Sequence, residues 1–206
     1  MTWEFEEKAW ARGFSAVCGV DEAGRGPVAG PVCAAAVILP AGVVIEGLND
    51  SKKLSEKKRE ALFEVITENA VSWSVSLVDE KTIDEINILQ ATFRAMTQAV
   101  EGLPRPADFA YIDGNAVPPQ LGLPCETVVS GDARLPSVAA ASIVAKVTRD
   151  RLMRRFAAQY PVYGFEKHKG YETKAHDEAL IEHGPCPIHR LSFLKKFYQK
   201  HPEAKR

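Results

Sequence analysis

Two adjacent carboxylates leave an apolar segment and run straight into a glycine-rich turn: Ala16–Val20 is followed by Asp21-Glu22-Ala23-Gly24-Arg25-Gly26. The apolar run reads as a buried strand. Successive strand side chains point to opposite faces, so the two acids at its end do not share one role equally. Gly24 and Gly26 let another molecule approach the main-chain N–H groups closely, and Arg25 between them offers a charge that matches phosphate. Metal-assisted phosphodiester chemistry suits that combination. An ordinary strand-to-turn connection with solvated charges suits these six residues equally well. A nucleotide-binding loop would need a helix after its glycines; here Pro27 and the apolar stretch Val32–Leu39 follow, which reads as a second strand.

The 206 residues, 46% hydrophobic and 26% charged, suffice for one substantial core, so a single domain spanning 1–206 is expected. The start MTWEFEEKAW has neither the basic end nor the apolar centre of a signal peptide, and no apolar stretch reaches membrane-spanning length. A cytoplasmic protein with no membrane partner is the expectation. Cys18, Cys33, Cys125 and Cys186 form no CxxC pair and imply no disulfide framework. His183, Cys186 and His189 lie in a Pro-Gly-rich turn without a fourth ligand nearby, so zinc is not expected. The net charge of −1 conceals an asymmetry: residues 146–206 hold 14 Lys and Arg against 7 Asp and Glu, whereas residues 1–145 hold 12 against 20. An acidic part able to hold cations thus precedes a basic part able to hold a polyanion, although solvated helix faces account for some of these charges.

Further strands are expected at Val71–Val78, whose residues alternate with a period of two, at Phe109–Ile112 and at Glu126–Val129. Helices separate them. Ser55 is placed to cap a helix reaching Asn69, and Thr82 with Glu85 makes a capping box before the stripe Ile86, Leu89, Phe93 and Met96. A long helix begins near Pro136, its alanine-rich first half suited to close packing and its arginine-rich second half to solvent. Thr173 caps a further helix ended by Gly184 and Pro185, and Ser192–Lys200 forms the last. Hairpins first and alternating strands and helices later indicate an α/β protein with a mixed sheet.

Asp113 and Asp132 also stand at the ends of expected strands, where an α/β scaffold gathers functional side chains. Each alone reads equally as a turn residue, since Asp-Gly and Gly-Asp are common turn pairs. If Asp21, Glu22, Asp113 and Asp132 converge, they form an all-oxygen set suited to Mg2+ or Mn2+, and two such ions ~3.5–4 Å apart can act on both sides of a phosphodiester. Without cations, clustered acids raise one another's pKa.

DEAGRG, GPVAGPV, LNDSKKLS, YIDGN, SVAAASIVAKVTRDR, YGFEKHKGY and HRLSF, in this order and across nearly the whole chain, resemble bacterial ribonuclease HII. The resemblance implies the ribonuclease H-like fold: a mixed five-stranded sheet flanked by helices, with residues 172–206 a small helical C-terminal extension. It implies that Asp21, Glu22, Asp113 and Asp132 are the catalytic metal ligands of a two-metal site. It further implies an endoribonuclease acting on RNA/DNA hybrids and on ribonucleotide-containing duplex DNA, and a monomer. Gly24, Arg25 and Gly26 would contact the ribose 2′-hydroxyl, and Tyr171 would pack on the sugar at the junction with DNA. Lys52, Lys53 and Lys169, ahead of Lys146 and His168, are candidate phosphate contacts that position without reading sequence. Asp150 reads as a helix or salt-bridge residue. The family usually has lysine before the Gly-Asp pair where this chain has Ser130, which leaves open what cation lies near Asp132. A fold-retaining binding module without chemistry, or a nuclease of the same fold acting on DNA, are the alternatives.

Overall fold

The computed structural model describes residues 1–204; Lys205 and Arg206, the end of the expected 1–206 domain, lie outside the described residues. The strands β1 (Val17–Ala23), β2 (Val32–Ile38), β3 (Ser72–Val78), β4 (Phe109–Asp113) and β5 (Cys125–Val128) form one mixed sheet in the order β3-β2-β1-β4-β5. β1 runs antiparallel to β2 and parallel to β4, which is parallel to β5. The helices are α1 (Glu4–Ala11), α2 (Glu56–Asn69), α3 (Glu80–Glu101), α4 (Pro136–Gln159), α5 (Phe165–His168), α6 (Lys174–His183) and α7 (Lys195–Lys200). The expected mixed α/β sheet flanked by helices is what the chain adopts.

β2 is buried along its whole length, and the alternation of its side chains between two faces sorts the core. Val32, Ala34, Ala36 and Ile38 pack with Ile83, Ala91, Ala95 and Ala99 of α3; Cys33, Ala35 and Val37 pack with Ala140, Ala141 and Val144 of α4 and Leu62 and Ile66 of α2. The small residues bring α4 so close to β1 that a Cβ added at Gly19 would lie under 3.0 Å from backbone atoms of Ser137 and Val138. No described helix is long and apolar enough to cross a membrane. Cys18 and Cys33 are free thiols whose burial pushes their pKa up to about 12.

Several local expectations need correction. β1 continues through Asp21 and Glu22 to Ala23, because both acids still pair with β2, opposite Ala35 and Ala34. The cap of α3 is Asp79, whose carboxylate accepts from the N–H of Thr82 at 2.8 Å; an acid three residues earlier outcompetes the Thr82 box. α3 also breaks at Asn87, at φ 68°, where the side chain caps Leu89 and Gln90 and restarts the helix. α1 has no counterpart among the sequence expectations, and α7 starts at Lys195, three residues later than expected, after a run of turns. Ser55, Thr173 and Pro136 begin their helices as expected.

Candidate active site

Parallel strands bring their C-terminal ends to the same sheet edge. Val20 of β1 is level with Ile112 of β4, so the following residues, Asp21 and Asp113, are neighbours. Alternation points both toward α4: Cys18 and Val20 face α3, as do Ala110 and Ile112. Glu22 starts from the opposite face, but at the strand end it reaches the same opening. A cleft of about 210 Å³ is lined by all three acids, by Ala23–Gly26, and by Ser51, Lys52, Ser142, Lys146 and Tyr171.

Asp132 sits just beyond. After β5 the chain turns at Ser130, which takes a left-handed conformation (φ 56°). The next N–H, of Gly131, donates to Oδ1 of Asp113 at 2.7 Å. This bond ties the two loops together and fixes Asp132 beside Asp113. Lys52 Nζ lies 3.3 Å from Oδ2 of Asp132, so the cation that Ser130 cannot provide comes from a different loop.

Burial and mutual repulsion dominate the electrostatics. Asp21 is held well above the ordinary carboxylate range by burial first, then by Glu22 and Asp113, against relief from the Ser142 hydroxyl and the Glu22 N–H. Burial likewise raises Glu22, with Arg25 opposing it, and raises Asp132, with Asp113 adding to the shift and Lys52 opposing it. Partial burial works against the charge of Lys52, but Asp132 and Asp21 outweigh it and raise its pKa. Among the described residues no three His, Cys, Asp or Glu side chains are closed into a ready chelating cluster. Asp21, Glu22 and Asp113 share one opening, with Asp132 at its margin beside Asp113; the carboxylates are close enough to repel, and their donors are all oxygen, the set a hard divalent cation takes. The residues therefore fit such a cation, whose charge would relieve their repulsion.

The other expected site residues divide. Gly24, Arg25, Gly26, Lys52 and Tyr171 line the cleft; Lys53 and Lys169 do not. Lys169 is 7% exposed, and its ammonium is turned to the Glu166 carbonyl and toward Glu56, so it stands away from the expected phosphate position. His168 is likewise committed to protein, through the Tyr163 carbonyl at 2.7 Å. Lys146 lines the cleft but is paired with Asp150 at 2.7 Å, which places Asp150 as the salt-bridge residue expected.

Ser142 and Ser51, whose hydroxyls are 2.8 Å apart, were not foreseen, nor was Arg149. The arginine-rich half of α4 was expected in solvent. Arg151 and Arg154 do pair with Glu56, Glu60 and Glu64 at the surface of α2, but Arg149 is 1% exposed. Ser142 and Lys146, four residues apart on α4, both line the cleft, and that i, i+4 spacing is the signal that would have found Ser142; Arg149 lies further along and is turned to the carbonyls of Ala29, Pro31 and Lys169.

Beneath Tyr171 lies a histidine cluster. His176 Nδ1 bonds the Tyr171 carbonyl at 3.0 Å, its Nε2 is 3.0 Å from that of His189, and His168 stacks on its ring at 4.4 Å. Burial pushes both His176 and His189 down to about 4, so they fold neutral. The unfolded chain takes up protons first as pH drops, and stability is lost between pH 6.5 and 4, by ~3 kcal/mol for each histidine. The raised carboxylates act in the opposite direction. The histidine contribution is therefore read as a difference in Tm–pH profiles: between pH 7 and 4.5, His176→Asn should lose several degrees less than wild type, and parallel profiles would contradict this.

Residues 18–196 match the family model described as Ribonuclease HII. The chain is 58% identical over 191 residues to "Ribonuclease HII" of Endomicrobium trichonymphae, covering 93% of this chain and 91% of that protein. It is 54% identical over 193 residues to the same-named protein of Caldicellulosiruptor saccharolyticus, covering 94% of each. Its fold superposes on the crystal structure of the ribonuclease H2 from Pyrococcus horikoshii with a TM-score of 0.76 at 29% identity, over 92% of this chain and 100% of that one. Similarity of this extent, over a cleft with these acids, makes the chain a member of the ribonuclease HII family, a ribonuclease H hydrolase that cleaves the RNA of RNA/DNA hybrids.

Proposed function

We propose that the chain also cleaves at single ribonucleotides embedded in duplex DNA, cutting on their 5′ side and leaving 3′-hydroxyl and 5′-phosphate ends, and so removes ribonucleotides from DNA. The observation that carries this reading is the single cleft that joins Asp21, Glu22 and Asp113 to the Gly24-Arg25-Gly26 loop and Tyr171. Asp21, Glu22, Asp113 and Asp132 would hold two Mg2+ or Mn2+ ions. Such ions supply Lewis-acid charge to the phosphodiester and activate water.

The rest falls to the chain itself. The 2′-hydroxyl both donates and accepts, and is the one local group that separates ribose from deoxyribose; main-chain N–H groups of Arg25 and Gly26 are the donors offered to it. The Tyr171 ring, 44% exposed, stands 3.5 Å from where a Cβ on Gly26 would be. It therefore forms the wall beyond the ribose contact, where a deoxyribose face fits and an added hydroxyl is hindered. Lys52, mostly exposed beside Asp132, is the candidate phosphate contact. In this reading the protein is a monomeric, cytoplasmic enzyme with one catalytic domain.

The test is cleavage mapping on a duplex carrying one ribonucleotide, with an RNA/DNA hybrid and an all-DNA duplex alongside. A single cut 5′ to the ribonucleotide, stopped by EDTA, is expected; cyclic phosphate ends or cutting of the all-DNA duplex would refute the reading. Tyr171→Ala should lower cleavage at the embedded ribonucleotide by about 10-fold or more, the ~1–3 kcal/mol scale of one aromatic stacking contact, and lower hybrid cleavage less. Equal losses on both substrates would remove Tyr171 from the junction.

A further inference from the structure

The Gly24–Gly30 loop leaves β1 with no ladder of its own, and one buried side chain holds it. Arg190, 0% exposed, donates from Nη2 to the carbonyl of Gly24 at 2.7 Å and from Nη1 to those of Arg25 at 3.0 Å and Pro27 at 2.7 Å. Its Nε donates to the carbonyl of Gly30 at 2.8 Å. Arg149 braces the following segment in the same way, through the carbonyls of Ala29 and Pro31 at 3.0 and 2.9 Å. A substitution at Gly24, whose φ is 93°, would drive a Cβ into the Arg149 side chain.

Arg190 is fixed in turn. Its own N–H donates to Val28, Ala29 bridges to His189, and Asp84 of α3 accepts from the N–H groups of Leu191 and Ser192 at 2.8 and 2.9 Å. Glu80, more than half buried, lies in the field of both arginines and favours their charge. A guanidinium directs five N–H groups in a rigid plane; lysine could not reach four carbonyls at once.

A trans peptide unit points its N–H opposite to its C=O. The unit that places the Gly24 carbonyl on Arg190 carries the N–H of Arg25, and the unit that places the Arg25 carbonyl there carries the N–H of Gly26. With both carbonyls held inward, these two N–H groups are directed away from Arg190, on the side where Arg25 and Gly26 line the cleft.

We propose that Arg190 is a positioning residue for cleavage: it touches no substrate, but it sets the orientation of the two backbone donors that meet the ribose. The inference rests on the proposed role of this loop in sensing the 2′-hydroxyl. It makes the segment before α7 part of the working site, because the loop's donors take their direction from a residue more than 160 positions away in the chain.

The full-length variants Arg190→Lys and Arg190→Ala test it, in steady-state kinetics on the duplex with one ribonucleotide at saturating Mg2+, with circular dichroism and Tm recorded in parallel. Misplaced donors should lower kcat by about 100-fold in folded Arg190→Lys, the cost of an error of about 1 Å beside the reacting centre, with KM changed far less. Added guanidinium should restore part of the kcat of Arg190→Ala, and methylammonium should not. A folded Arg190→Lys with wild-type kcat overturns the inference, as does a loss that only follows the unfolded fraction. If neither variant folds, the arginine serves the fold and not the loop, and the inference is wrong. A wild-type chain that leaves the embedded ribonucleotide uncut would instead sink the underlying reading of the site.

Discussion

Asp113→Asn should reduce hybrid cleavage by at least ~10³-fold, ~4 kcal/mol of barrier, while leaving the protein folded and no less stable without metal. Asparagine has nearly the same shape, and its carbonyl oxygen can still accept the N–H of Gly131, the 2.7 Å bond that holds the β5 loop to β4. What disappears is one negative charge at the centre of the set. Asp113 contributes to the raised pKa of Asp21, Glu22 and Asp132 alike. Its neutralisation therefore lets those three ionise more readily and removes repulsion that the metal-free fold otherwise bears. Activity and metal-free stability are thus expected to move in opposite directions, whereas a residue that merely packs would lower both. Cleavage assays paired with thermal melts in EDTA separate the cases. Cleavage by Asp113→Asn near the wild-type rate would remove the carboxylate set from the chemistry.

The positions of the acids were legible because Asp21, Glu22 and Asp113 close apolar runs and Asp132 follows one through a Ser-Gly turn, all features that sequence marks locally. The pairing that makes them neighbours was not. That β1 and β4 are parallel and level at Val20 and Ile112 is decided by the whole sheet. Local competition also misled: Asp79 and Thr82 are both sound caps three residues apart, and the carboxylate prevails. Asn87 breaks α3 while its neighbours keep a continuous helical stripe, so the pattern conceals the kink. Buried arginines were the least legible. Arg149 sits among Arg151, Arg154 and Arg155, and nothing in an arginine's identity says that its partners are carbonyls of a distant loop instead of water. Lys169 erred in the other direction, a cation in a motif segment that the fold turns inward. The fold could be read from short-range pattern, and the part of the site that depends on long-range backbone contacts could not.

Gly19→Ala should cost ~3 kcal/mol or more and lower the Tm by about 6–12 °C, although it adds a single methyl group. Gly19 lies in the middle of β1 with the first turn of α4 directly over it. The added Cβ would meet the carbonyl group of Ser137 and the N–H of Val138 at under 3.0 Å. Those are backbone atoms of a helix whose residues Val138 to Ala141 are all 0% exposed, so no flexible side chain can yield. The helix must lift from the sheet, which loosens the packing along its whole inner face. The same shift draws Ser142 away from Asp21, one turn further along α4, and removes a hydrogen bond that partly offsets the buried charge of that carboxylate. Folded Gly19→Ala should therefore show a reduced kcat as well as a lower Tm. Gly122→Ala provides the control: a Cβ there meets nothing within 4 Å, and a change within ~0.5 kcal/mol is expected. If Gly19→Ala melted with the control, the close seat of α4 on β1 would not be what holds Asp21 in the cleft, and the placement of the whole acid set would need another cause.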